Sequence, residues 1–330
     1  MRNAATSVIG RRGSEGLDML SFGIKRVLFA IPTLLGVSVL VFILVHLAPG
    51  DAADMFIPPD VSQEVADSLR RRFGLDQPIY IQYFFWLGRI VIGDFGISIF
   101  NNRPVLHDVL EGLVNTLTIA LPAALIGFSL GIASGLAAAW NRGRWLDGLL
   151  SFLMIAAVSI PNFWLSIALV AVFSVKLNLL PAIGMGDPSL PFLANVQFMV
   201  LPTVALAFIP FGIVARFVRA TVLEVLELEF VSALQARGIR TNKRVVHIAA
   251  NVAPSTLALM GLQLGYLLAG SILVEAVFNW PGIGGLLNLS IFRRDIPSVS
   301  AIVLVLAAIF VALNIIVDLL QAWIDPRIRR

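Results

Sequence analysis

An all-α membrane bundle of six transmembrane helices is the fold class this sequence predicts, and three observations carry it. Hydrophobic residues fill 58% of the 330 positions and charged residues only 13%, more apolar surface than a water-soluble domain of this length can bury. Six charge-free stretches reach the roughly 20 residues that a helix needs to cross a bilayer. The basic residues fall in short segments between those stretches and form no continuous stripe, which sets aside a nucleic-acid reader despite the net charge of +4.

Residues 1–24 form a basic N-terminal segment, and the first charge-free window, Val27 to Val45, places a helix at 25–47. Its apolar core exceeds the roughly 7–15 residues of a cleavable signal, so the helix is read as uncleaved. The segment 48–111 is acidic overall and holds a short amphipathic helix with Tyr80, Tyr83, Phe84, Phe85 and Trp86. Aromatics so clustered suit either the headgroup zone or packing on the bundle. Five more windows follow within residues 112–330: Gly112 to Ala139, Gly148 to Val175, Pro188 to Ala215, Ile248 to Val274 and Ile296 to Val317. The Pro- and Asn-rich opening of the fourth moves its expected helix start to about Phe198. Pro32, Pro122, Pro161, Pro202 and Pro210 lie inside windows, where packed membrane helices kink without breaking.

Direction follows from lysine and arginine. With six alternating helices, Arg2, Arg11, Arg12, Lys25 and Arg26 share a side with Arg142 and Arg144, with the cluster from Arg216 to Arg244, and with Arg327, Arg329 and Arg330. The opposite side keeps eight basic residues, five of them in the long segment 48–111, which translocates largely regardless of charge. Both termini are therefore expected in the cytoplasm.

Several motifs mislead. Gly127-Phe128-Ser129-Leu130-Gly131 has the spacing of a hydrolase nucleophile elbow, but that device needs a strand and a strained turn, and here it sits in an apolar helix. Gly127, Gly131 and Gly135 instead make a small-residue face for close helix approach, and Gly261 with Gly265 repeat it in the fifth span. Asp94-Phe95-Gly96 lacks the companion motifs of a kinase. The three histidines, His46, His107 and His247, show no metal-ligand spacing, and there is no cysteine. The only lysines, Lys25, Lys176 and Lys243, follow no phosphate-binding glycine loop, so the chain is not expected to be an enzyme or to hydrolyse ATP. Glu275 and Asp318 fall at span ends, where water or a headgroup would reach them; local hydrogen bonding is the favoured reading over an ion relay.

The informative stretch is the connection 221–251. Thr221 and Glu224 form a capping-box pattern that would start a new helix, Leu226, Phe230, Ala233 and Leu234 line one apolar face, and Gly238 supplies a left-handed stop. Such a short amphipathic helix either folds back onto its own bundle or enters a groove on a partner. The run Glu229-Phe230-Val231-Ser232-Ala233-Leu234-Gln235-Ala236-Arg237-Gly238 resembles the EAA loop of binding-protein-dependent ABC importer permeases, in the form found in dipeptide and oligopeptide systems. Ser232 stands where that family has a basic residue and Leu234 where it has a small one. The first span with His46-Leu47-Ala48-Pro49-Gly50-Asp51, the stretch Phe73-Gly74-Leu75-Asp76-Gln77-Pro78 with Gly93-Asp94-Phe95-Gly96, the run Glu275 to Gly284, and Asp325-Pro326-Arg327 near the end are similar to further segments of the same family.

The resemblance implies a type I ABC importer permease fold in a bacterial inner membrane. It implies four kinds of company: a second homologous permease subunit, two cytoplasmic ATPase subunits or domains, an extracytoplasmic solute-binding protein, and a peptide-class solute. No cofactor is expected in this chain; ATP and Mg would sit in the ATPase partners. Glu229, Phe230, Val231, Ala233, Leu234, Ala236, Arg237 and Gly238 are the expected ATPase-coupling residues, with Phe230 and Leu234 turned into the partner's groove. Trp280, Pro281, Gly282 and Gly284 are the expected loop facing the binding protein. The rival reading from the residues alone is a secondary carrier or channel driven by an ion gradient.

Overall fold

The computed structural model describes residues 3–47, 62, 64–65, 77–187, 189 and 191–324. The Pro49-Gly50-Asp51 element, the stretch Phe73 to Asp76 and the terminal segment from Asp325 lie outside the described residues.

Among the described residues the named elements are helical: α1 (Asn3–Leu47), α2 (Ile79–Val91), α3 (Val105–Trp140), α4 (Trp145–Ser159), α5 (Asn162–Leu169) with a π-helical continuation (Val170–Lys176), α6 (Phe192–Leu226), α7 (Glu229–Ala236), α8 (Thr241–Phe278), α9 (Ile283–Phe292) and α10 (Ile296–Ile324). Five stretches are long and apolar enough to cross a membrane: Ser21–Leu47, Val105–Trp140, Leu193–Leu226, Lys243–Phe278 and Ile296–Ile324. A sixth exists if α4 and α5 count as one span, and these two meet at a bend of 102°.

That bend exceeds the kink the sequence suggests, and its cause is local. Pro161 offers no N–H to the turn before it, and its ring disfavours helical backbone at Ile160, which is extended at φ −84°, ψ 120°. Pro161 therefore ends one helix and caps the next. Pro122, Pro202 and Pro210 stay inside unbroken helices.

Three further boundaries differ from the sequence reading. Helix α3 starts at Val105, above the charge-free window, because His107, Asp108 and Glu111 occupy turns whose other face buries Val105 and Val109. Helix α6 starts at Phe192 directly after Pro191, six positions before Phe198, since proline suits a helix entry. Thr221 caps nothing: it sits within α6, which runs unbroken to Leu226, so a capping-box spacing inside a helix has no free amides to serve.

The core is α3 laid along α6, with α4, α5 and α8 also packed on α6. Glycine makes the central approach close. A Cβ at Gly127 would lie 2.8 Å from Ala207 O, at Gly131 3.1 Å from Phe211 O, and at Gly135 2.6 Å from Ala215 O, so this stripe sits against the backbone of α6. Gly261 and Gly265 make room on α8 for the side chains of Val317 and Phe310 of α10. Helix α1 stands apart from the core and packs on α10 and α2.

Candidate functional site

Helix α7 is a two-turn rod between the ends of α6 and α8. Leu228 enters it in extended conformation, and Glu229 in the first turn complements the amino-terminal dipole. It ends in a Schellman motif. Gly238 sits at φ +70°, its amide bonds Gln235 O at 3.0 Å, and the Ile239 amide bonds Leu234 O at 3.2 Å. Glycine is needed there because a Cβ would strain a left-handed residue.

The rod presents two faces. Val231 is buried, and Phe230 is half-buried against the chain's own core, where Leu226 also packs; Leu234 is half-buried. Glu229, Ser232, Ala233, Gln235, Ala236, Arg237 and Gly238 are exposed. The apolar side seats the rod on its bundle, and the outward surface is small and polar.

Beside it, α6 is clamped to α4. Arg219 Nε donates to Asp147 Oδ1 at 2.7 Å and Arg219 Nη2 to Asp147 Oδ2 at 2.9 Å, while the Gly143 amide adds a bond of 3.1 Å to Oδ2. Bidentate pairs of this kind fix geometry as well as contributing energy. A second link, Arg142 to Glu227 at 2.9 Å, is exposed on both sides and contributes about 0–1 kcal/mol. An apolar cavity of about 280 Å³ opens between α3, α6, α8 and α10, walled by Trp140, Val222 and Ile248 and by Thr256, whose buried Oγ1 has no hydrogen-bond partner.

The opposite end of the bundle is closed by Glu275. The expectation that water or a headgroup reaches it is overturned: the residue is 1% exposed, folded under the α8–α9 connection. Thr116 Oγ1 donates to Glu275 Oε1 at 2.6 Å and accepts from the Ile283 amide at 2.9 Å, and the Gly285 amide donates to Glu275 Oε2 at 3.0 Å. Gly282 and Gly284 leave room for the carboxylate that any Cβ would fill. Trp280 Nε1 donates to Asn115 O at 2.8 Å, and Asn115 Nδ2 donates to Pro281 O at 2.9 Å. Of the four residues expected to face a binding protein, Trp280, Gly282 and Gly284 are buried and Pro281 alone is exposed. Asp318, the other acid at a span end, pairs with Arg26 at 3.1 Å.

Nearby, the 177–191 connection is tied to this end by the Gly184 amide on Phe278 O at 2.8 Å. Within it the Ser189 hydroxyl and amide hold the Asp187 carboxyl below the ordinary carboxylate range. Among the described residues no group of three or more His, Asp or Glu side chains is arranged to hold a metal ion.

Residues 127–330 match the family described as "Binding-protein-dependent transport system inner membrane component", and residues 19–120 match its N-terminal membrane component. The chain belongs to that family. It is 38% identical over 312 residues to the glutathione transport system permease protein GsiC of Escherichia coli (strain K12), covering 94% of this chain and 99% of that protein. It is 33% identical over 334 residues to the dipeptide transport system permease protein DppB of Alkalihalophilus pseudofirmus, covering 94% and 100%. Its fold is similar to a chain of the MetNI methionine ABC transporter in an inward-facing conformation, with TM-score 0.53 and 19% identity over 67% of this chain and 98% of that one. The chain is thus an inner-membrane permease component of a binding-protein-dependent ABC importer, with the type I permease fold, and not a gradient-driven carrier. Such a component works with an ATPase and a substrate-binding protein.

Sequence reasoning missed the Asp147–Arg219 clamp and the Glu275 closure. Their partners lie 72 and 159 positions away, so no local pattern announces them.

Proposed function

We propose that the chain lines the translocation path of an importer for short peptides, glutathione among them, and that α7 is the element through which ATP hydrolysis in separate subunits moves it. The observation that carries the reading is the two-faced α7: one side seated on the core through Val231 and Phe230, the other exposed through Ala233, Ala236 and Arg237. Small exposed residues let a partner's groove close on the backbone of the rod, and Gly238 ends the rod sharply enough for α8 to return into the bundle. Glu229, Phe230, Val231, Ala233, Leu234, Ala236, Arg237 and Gly238 act as one coupling unit, part of it gripping the permease and part of it the ATPase.

Motion is then mechanical. ATP and Mg sit in two ATPase subunits or domains, whose closure pushes α7; α6 carries the push, and the Asp147–Arg219 clamp makes α4 follow. The 102° bend at Pro161 is the hinge at which α4 moves relative to α5. A second homologous permease subunit completes the pathway, and a solute-binding protein delivers the peptide at the Glu275 end. In this arrangement α4 and α5 count as one span of six, and both termini, with α7, face the cytoplasm, in accord with the distribution of Lys and Arg.

The test is to purify the permease with its ATPase and binding protein, reconstitute it, and add short peptides and glutathione one at a time. Stimulated ATP hydrolysis and ATP-dependent uptake with one of them is the expected result. Uptake that persists without ATPase subunits and follows an ion gradient would overturn the reading.

A further inference from the structure

Where α1 ends and α10 begins, a groove of about 350 Å³ opens between them, within the range of roughly 300–1,000 Å³ typical of small-molecule sites. Val41, Leu44 and Val45 of α1 form one wall and Val299 and Val303 of α10 the other, with Arg294 at the mouth. Its depth follows from the spans: Leu47 closes the first and Ile296 opens the last, so the groove lies at the boundary between hydrocarbon and headgroups.

The charge at the mouth is free. Asp295 next to Arg294 is buried and committed to the Ser98 and Ser298 hydroxyls and the Ile99 amide. Arg293 lies over the Phe100 ring at 3.3 Å from its centroid. Arg294 itself is exposed and makes no side-chain hydrogen bond or ion pair among the described residues. Its backbone sits at φ +56°, where glycine or asparagine would be less strained.

We propose that this groove is a phospholipid site, with an acyl chain between α1 and α10 and the headgroup phosphate on Arg294. A guanidinium matches phosphate oxygens in bidentate geometry, and an apolar slot at this depth matches the chain attached to them. The bound lipid would extend the contact between α1 and α10, the helix on which α1 chiefly packs.

The experiment uses the full transporter complex in mild detergent. Native mass spectrometry counts phospholipids retained per permease chain, for wild type, Arg294→Gln, Arg294→Lys, Arg293→Gln and the groove-filling Val303→Trp. The expected result is one retained lipid fewer in Arg294→Gln and Val303→Trp, a partial loss in Arg294→Lys, and retention kept in Arg293→Gln. A second readout needs no variant of the groove: Trp86, which shares a buried cluster with the groove residues Val41 and Val45, should be quenched by phospholipid with brominated acyl chains, read as the difference from Trp86→Phe. Equal retention in wild type and Arg294→Gln, or no quenching of Trp86 in the wild type, would overturn the proposal.

Discussion

At the α7 end of the bundle, Asp147 meets a guanidinium carried by another helix, while at the α9 end Glu275 and Asp295 meet only hydroxyls and backbone amides. The first kind of contact joins two side chains, one of them 30% exposed, and rotamers can carry both partners through a movement. The second is dry and built partly from the main chain of α9, so it holds only while the α8–α9 connection keeps its shape. On the coupling proposed for α7, the first end would take the push, and the α9 end would hold until the connection itself shifts.

The largest expected effect comes from cutting the clamp. Asp147→Ala leaves Arg219 without its carboxylate; breaking a buried pair costs about 3–5 kcal/mol, and the exposure of Arg219 places this one near the lower end, about 3 kcal/mol in equilibrium unfolding in detergent. The double variant Asp147→Leu with Arg219→Met should recover most of that loss while uncoupling α4 from α6, visible as ATP hydrolysis without uptake. Thr116→Val comes next. It strips a donor from Glu275 Oε1 and an acceptor from the Ile283 amide, each buried, at about 1–3 kcal/mol in all, read as a lowered unfolding midpoint. Ala236→Trp on the exposed side of α7 should change stability by no more than about 0.5 kcal/mol and yet abolish ATP-dependent uptake, which separates docking from folding. Arg142→Gln should be the mildest, under about 1 kcal/mol and smaller still in high salt, because both partners of that pair are exposed.

The contrast also explains what the sequence could disclose. The five unbroken spans follow from uninterrupted apolar composition, which needs no knowledge of neighbours. The glycine at 238 is legible for the same reason, since a helix stop is a property of one residue and its two flanks. The elbow at Pro161 is not, because Pro122 and Pro202 look alike in sequence and remain inside unbroken helices. Thr221 misleads because its capping pattern is local while the helix that absorbs it is held by packing along α3. The spacing of Phe230 leaves both a fold-back onto the bundle and a partner's groove open; its half-burial against its own core depends on α8 returning beside α7, which no local pattern encodes. Glu275 reads as a span-end acid, and only the approach of Thr116 and the α9 amides gives it its burial.

The most direct test of the coupling role is a cysteine placed at Ala236, on the outward face of α7, in the assembled complex with its ATPase. A cross-link from that position to the ATPase whose yield changes on ATP binding, with none from Val231→Cys on the seated face, is the expected result. Absence of any cross-link to a partner from Ala236→Cys, or equal yields from the two positions with and without ATP, would contradict it.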